Sequence, residues 1–467
     1  MSETTFKRDL GLFDGIMLVM GSMIGSGIFI VSADMIRQVG SVGWLIALWV
    51  LTAILTTIAA ISYGELSALF PKAGGQYVYL KEAYSPRIAF LYGWSFFAVI
   101  QTGTIAAVGV AFAKFAAYLY APLGEQHLLL EIGSFHLTAA QLVAVATIVL
   151  LTALNHQGVK KSKGIQSALT VVKVASLLGL LVMGFQAFSS DVWQQNWQDA
   201  FVWKQYATET QEWLPLSGLG IGLAVSAALV GSVFSSDAWN GVTFIAAELK
   251  NPQRNVGLSL LIGTAAVGFI YVAMNLMYVS VLSAHDLANV PSDRIAIAIS
   301  EMVFGSHGTV IVALMIMVST FACNNGLILS GARVYYSMAQ DQLFFKQATK
   351  LNSQGVPAWA LKAQALWAAV LCLTGQYGQL LDFVVSIVLL FYILTIWGIF
   401  RLRRKLPHTE RPYKAFGFPY LQWFYLACTS LLLVLLFMAK WETCSWGLLI
   451  VASGLPVYEF FKRKHTA

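Results

Sequence analysis

Apolar residues along this chain gather into runs of 18 or more, such as Gly43 to Ala60, separated by short polar, glycine or proline punctuation. Runs of that length match the roughly 30 Å of hydrocarbon that a membrane helix must cross. They predict spans at 12-36, 41-69, 87-119, 138-156, 163-188, 217-248, 256-283, 308-340, 361-376, 380-401, 417-439 and 443-462. The runs are too long and uniform for buried strands. A bilayer admits only structures whose backbone polar groups are satisfied internally. The expected fold class is therefore an all-α membrane protein with twelve transmembrane helices.

Composition supports a bilayer as solvent. Of 467 residues, 58% are hydrophobic and 11% charged, less than half the roughly 25% charged residues of a soluble domain. The formal charge of +7 raises the question of nucleic acid, but no cationic face with interleaved stacking aromatics is present, so no nucleic-acid partner is expected. The basic residues sort by connection instead. One side collects Lys7, Arg8, Lys72, Lys81, Arg87, Lys160, Lys161, Lys163, Lys250, Arg254, Lys346, Lys350, Lys362, Arg401, Arg403, Arg404, Lys405, Arg411, Lys414 and Lys462 to Lys464, and the other keeps Arg37, Lys204, Arg294 and Lys440. That 22 to 4 division of the 29 basic residues, with Lys114, Lys173 and Arg333 inside spans, predicts cytoplasmic N- and C-termini in a bacterial-type inner (cytoplasmic) membrane. The N-terminal Met1 to Asp9 segment has no cleavage-type signature, so the first apolar run is expected to be retained as a span. The long connection 187-215, with six aromatics, either caps the protein or lies at the headgroup level.

Two spans contain segments that a lipid-exposed helix avoids. Gly21-Ser22-Met23-Ile24-Gly25-Ser26-Gly27 places three glycines and two serines at mid-depth of the first, and Phe234-Ser235-Ser236-Asp237-Ala238-Trp239-Asn240 places a carboxylate and other polar groups in the sixth. Close helix packing through small residues and a buried polar network are the plain alternatives. Their positions favour another reading, because interruptions in corresponding helices of two repeated halves mark a transporter binding site. A broken helix exposes N–H groups with partial positive charge at one start and carbonyls with partial negative charge at the other end. A zwitterion matches both. Its carboxylate is expected on the N–H groups around Gly25, Ser26 and Gly27, and its ammonium on carbonyls near Met23, Ile24, Phe234, Ser235 and Asp237.

These residues resemble a known family. Gly25-Ser26-Gly27-Ile28-Phe29, Tyr63-Gly64-Glu65-Leu66, Phe70-Pro71-Lys72-Ala73-Gly74-Gly75, Phe234 through Asn240, Glu248 through Asn255, Ser319-Thr320-Phe321 with Asn325-Gly326, and Arg411-Pro412-Tyr413-Lys414 before Gly417-Phe418-Pro419 are similar to the amino acid, polyamine and organocation (APC) superfamily, and within it to the L-amino acid transporter (LAT) family with its bacterial members. The resemblance spans about Leu10 to Pro419. It implies a LeuT-like fold of five plus five inverted repeats (12-188 and 217-401) with two additional C-terminal helices (417-462), all in one transporter domain, 1-467. It also implies that Ser22 joins the carboxylate side, that Phe234 gates the site from outside, and that Asn325 borders the substrate pocket.

A lysine inside a span, such as Lys173, costs roughly 2.5 to 3.5 kcal/mol at a helix centre unless it is paired or faces a cavity. Snorkelling to an interface is the simpler alternative. The family resemblance places this ammonium where sodium-coupled relatives hold an ion between spans 1 and 8, as a sodium-site surrogate, with contacts to span 1 carbonyls and to polar groups near Ser319 and Thr320. Asp237 either assists a cation or bonds neighbouring backbone. Glu65 with Lys72, and Glu248 with Arg254, are expected at a cytoplasmic gate, and Lys114 is read as a snorkelling residue. Family members from eukaryotes attach to a heavy chain through a cysteine between spans 3 and 4; Leu119 to Leu137 contains none, so no disulfide-linked heavy chain is expected.

The leading functional expectation is a secondary transporter of neutral L-amino acids, sodium-independent, working by exchange. Proton symport stays open, because Lys173 is either a fixed or a titrating cation. Small residues at Ser26, Ala238 and Cys323 favour small or medium side chains. A polyamine or cationic amino acid permease fits less well, since a second amine would want more carboxylates than Asp237. No HExxH or CxxC motif points to a metal, no cofactor is expected, no convergent set of reactive side chains marks an enzyme, and no repeated filter or charged ring marks a channel.

Overall fold

The computed structural model describes residues 6-132, 135-374 and 377-466. The predicted ninth span ends at 376, outside the described residues, as do the side chains of Lys160, Lys161 and Lys464 used in the charge argument. Among the described residues nine helices are long and apolar enough to cross a membrane: Val42–Leu69, Pro86–Leu119, Ala139–His156, Ser162–Gln186, Pro252–Val281, His307–Gln340, Val384–Lys405, Tyr420–Ala439 and Trp441–Arg463. Each satisfies its own backbone, as lipid requires.

Helices are not the whole of the secondary structure. Two short antiparallel hairpins, Leu128–Ile132 with Phe135–Thr138 and Lys204–Ala207 with Glu212–Pro215, stand beside the helices of this mostly helical chain. Both lie in connections between the helices, where water can satisfy the open edge of a two-stranded ladder.

Both chain termini sit at one end of the molecule. The Phe6 ring packs edge-on against Tyr336 at 4.9 Å, Glu459 pairs with Arg87 at 3.1 Å, and Lys81 and Tyr77 both bond Asp341, a few residues past Tyr336. The opposite, far end is covered by the 187-215 connection, which forms the helix Ser190–Gln198 and the second hairpin. Asn196 donates to the carbonyls of Val279 and Leu282 at 2.8 and 2.9 Å and accepts from the Ala284 N–H at 2.9 Å. Trp203 stacks on Trp44 with centroids 4.0 Å apart, and Tyr206 is buried. Trp193, Trp197, Trp203 and Trp213 of this connection pack against the core as a cover, while Phe188 and Phe201 stay exposed.

The two segments singled out by their polar residues are both unwound. The first predicted span is two helices, Leu12–Met23 and Val31–Val39, joined by residues 24-26 and a short turn, Gly27–Phe29. The sixth is Leu219–Ser235 and Gly241–Phe244, with 236-240 non-helical. The breaks lie against one another: a methyl group added at Gly27 would stand 2.7 Å from Ser235 Cβ, so only glycine permits this approach.

Candidate functional site

The first break leaves a row of main-chain donors unpaired. The N–H of Ile24 still bonds Met20 at 3.0 Å, and the next helical bonds are Phe29 to Ser26 and Ile30 to Gly27. Between them, the N–H groups of Gly25, Ser26 and Gly27 have no acceptor among the described residues. Three consecutive unpaired donors in an apolar surround are costly, and together with the start of the following helix they form a ready anion site. In the facing break Ala238 has φ +63°, a conformation uncommon for any residue with a Cβ and of a kind that costs about 1–3 kcal/mol. One side chain locks the two breaks together: the Tyr271 hydroxyl reaches the carbonyls of Met23 and Ser235, each at 3.1 Å.

Between the breaks lies a cavity of about 30 Å3, lined by Ser22, Met23, Gly25, Ser26 and Gly27 on one side and Phe234, Ser235, Asp237 and Ala238 on the other, with Thr104, Val108, Cys323 and Leu327 closing it. A single water needs roughly 10–15 Å3, so the space holds about two. Ser22, one of the lining residues, has its hydroxyl buried against Gly326 without a hydrogen-bond partner. On the far-end side, Ser26, Gly27 and Phe234 also border a vestibule of about 730 Å3 that runs past Lys114, Glu125, Asp293 and Arg294. Ser26, Gly27 and Phe234 are shared by both spaces. Lys114, read from sequence as snorkelling, lines this vestibule and pairs with Glu125 at 3.3 Å.

On the terminal-end side the path is shut. Tyr63, Trp239 and Tyr392 pack ring to ring, with centroids 4.7 to 6.1 Å apart. Below them Glu65 takes two bonds from Arg403, at 2.9 and 2.7 Å, and one from the Ala415 N–H at 2.7 Å, while Glu248 pairs with Arg333 at 2.8 Å, both side chains buried. These partners differ from the Lys72 and Arg254 named from sequence, which form no ion pair among the described residues. Buried carboxylates take the cations that can reach them inside the bundle, and Lys72 and Arg254 lie at its surface.

The Lys173 ammonium donates to the carbonyls of Gly21 at 2.8 Å, Ile24 at 2.6 Å and Ser319 at 2.9 Å. Its three N–H groups are thereby all used, which excludes snorkelling. Thr320, expected beside it, bonds its own helix at Ile316 instead. Two of the residues named for substrate contacts have partners within the protein. The Ile24 carbonyl accepts from Lys173, and the Ser319 hydroxyl stands 3.1 Å from it and 3.2 Å from the Gly25 carbonyl, its one hydrogen serving one or the other. Asn325 does not line the cavity: Cys323 and Leu327, four residues apart on the helix Ser306–Gln340, present one face to it, and Asn325 is turned away to bond Asn155 and Gln166 at 2.8 and 2.7 Å. Asp237 accepts from the Tyr392 hydroxyl at 2.5 Å.

Tyr271, Tyr392, Cys323 as a donor to the Ser22 carbonyl at 2.9 Å, and Arg333 had no role assigned from sequence. Only Arg333 carried a usable signal, since an arginine inside a span demands an acidic partner.

The chain also matches known proteins over nearly its whole length. The profile of the family described as "Amino acid permease" covers residues 10–457. "Large neutral amino acids transporter small subunit 2" of Mus musculus is 28% identical over 97% of this chain and 80% of its own length. "b(0,+)-type amino acid transporter 1" of Homo sapiens is 26% identical over 98% and 88%, and "Serine/threonine exchanger SteT" of Bacillus subtilis (strain 168) is 26% identical over 99% and 98%.

Proposed function

The chain belongs to the amino acid permease family and is an amino acid transporter of the membrane, not an enzyme, and from that premise we propose that it exchanges neutral L-amino acids by alternating access without sodium. The observation that carries this is the row of unpaired N–H groups at Gly25, Ser26 and Gly27 with the unpartnered Ser22 hydroxyl, facing a second unwound segment across a small cavity. All four donors belong to residues that line this cavity, and in this reading they receive the carboxylate, while the Met23 and Ser235 carbonyls, which share the Tyr271 hydroxyl, receive the ammonium.

In this reading the architecture is twelve spans, the nine long helices together with the broken first and sixth and the shorter Ala358–Leu373. They are arranged as inverted repeats 12-188 and 217-401 followed by 417-462, with both termini in the cytoplasm. Lys173 serves as a tethered cation between the first span and the helix Ser306–Gln340, and it leaves no vacancy for sodium. Phe234 is the outer gate, and the vestibule marks an outward-facing state with the inner path closed. No disulfide-linked heavy chain is part of the proposal.

The test is uptake of labelled neutral amino acid into proteoliposomes, with and without amino acid inside and with sodium replaced by choline. Exchange predicts uptake only into loaded vesicles, unchanged by choline. Uptake into empty vesicles driven by a pH gradient would replace exchange by proton symport, and dependence on sodium would remove the role given to Lys173.

A further inference from the structure

Ser162, Asn155, Asn325, Gln166 and Ser22, all buried, form a line from the turn between the helices Ala139–His156 and Val159–Gln186 to the first break. Asn155 Nδ2 donates to the Leu151 carbonyl at 2.9 Å, and a carbonyl only accepts, so the other amide atom of Asn155 is the oxygen; it receives the Ser162 hydroxyl at 2.7 Å. The same Nδ2 donates to Asn325 Oδ1 at 2.8 Å, which leaves Asn325 Nδ2 to donate to Gln166 Oε1 at 2.7 Å. Each amide fixes the orientation of the next, and the last of them, Gln166, turns its nitrogen towards the first break.

Among the described residues that nitrogen has no partner, and neither has the Ser22 hydroxyl. The two lie around one point. A Cβ on Gly326 would stand 2.3 Å from Ser22 Oγ and 3.1 Å from Gln166 Nε2, and a Cβ on Gly21 would stand 2.2 Å from the same nitrogen. Two glycines on two different helices thus keep open a space in which a buried amide donor and a buried hydroxyl face each other without meeting. Leaving both unsatisfied is costly, and a hydroxyl can accept one hydrogen while it gives its own.

We propose that Gln166 is a positioning residue for the substrate's carboxylate. This role rests on the reading in which that carboxylate lies on Gly25, Ser26, Gly27 and Ser22. With the carboxylate in place, the Ser22 oxygen takes an N–H of Gln166 and its own hydrogen is committed to the carboxylate. Without Gln166 the hydroxyl is free to turn back onto its own helix, as Ser235 does by bonding Gly231 at 2.8 Å. The amides aligned behind Gln166 polarise one another and strengthen this last donor. Gln166 acts only through Ser22, since the residues lining the cavity do not include it.

A residue that works through Ser22 on a carboxylate has a signature that a structural amide lacks. In proteoliposomes, Gln166→Met should raise the half-saturation concentration for alanine roughly tenfold, the scale of one hydrogen bond to a charged group, with the maximal exchange rate within about twofold of wild type. It should narrow the preference for alanine over alaninamide, which lacks the carboxylate charge, by the same factor. In a Ser22→Ala background it should change neither. Gly326→Ala fills the shared point while keeping Gln166 and its bond to Asn325, and it decides the matter in the same way should the Gln166 variant fail to fold. The same loss in the Ser22→Ala background, or an unchanged preference for alanine over alaninamide, would overturn the role of Gln166 and leave the main-chain site standing. Ser22→Ala without effect on either measure would instead remove Ser22 from that site, and the role of Gln166 with it.

Discussion

Single atoms decide whether this site can work. Gly27 is tolerated against Ser235 because it has no Cβ. Gly27→Val should therefore abolish uptake while the protein still elutes as a monodisperse peak in detergent, since the overlap is confined to the cavity wall. Lys173→Met would take the ammonium from the carbonyls of Gly21, Ile24 and Ser319, leaving Ile24 the nearby Ser319 hydroxyl and Ser319 its own helix. A buried group left without a donor costs about 1–3 kcal/mol, so a fall in the thermal unfolding midpoint is expected along with loss of transport; an unchanged midpoint would show that the carbonyls find other partners. Tyr271→Phe removes the one hydroxyl shared by both breaks. It should weaken substrate binding about five- to tenfold, at roughly 1 kcal/mol for a net hydrogen bond, measurable by the substrate-induced shift of the same midpoint.

Among the elements, the buried pair Glu248–Arg333 joins the end of the broken sixth span to the helix Ser306–Gln340. Removing one member of such a pair costs about 3–5 kcal/mol, because it leaves the other charge buried alone. Glu248→Gln should be strongly destabilising, and adding Arg333→Met should recover part of the loss, a sign that distinguishes a coupled pair from two independent contacts in thermal unfolding. The breaks themselves were legible in the sequence, because glycine, serine and carboxylate at mid-span contradict an ordinary lipid-facing helix. Their fastenings were not. Tyr271 lies 248 residues from Met23, and Tyr392 lies 155 from Asp237, and nothing in local pattern reveals which distant hydroxyl the fold will bring across. Asn325 shows the same limit, since its bonds to Asn155 and Gln166 come from elements far away in the chain that its motif does not name. Likewise the apolar runs foretold long helices, whereas the hairpins occupy connections whose strands of four or five residues are too short for hydrophobic periodicity to identify.

At the scale of the molecule, the end that bears both termini also carries most of the basic residues, so orientation is open to a direct check. Glu410 is exposed at that end and Gln126 is exposed by the vestibule. With the four native cysteines replaced, Gln126→Cys should react with an impermeant maleimide on intact cells and Glu410→Cys only after permeabilisation; the opposite pattern would invert the topology. The far-end cover carries a further implication. It is hydrogen-bonded to the end of the helix Pro252–Val281 and stacked on Trp44 at the start of the helix Val42–Leu69, so it works as a splint across their tips. Any rocking that opens or seals the vestibule must swing these two helices as a single lever, and a binder clamped to the splint from outside would hold the whole machine at one point of its cycle without touching the cargo.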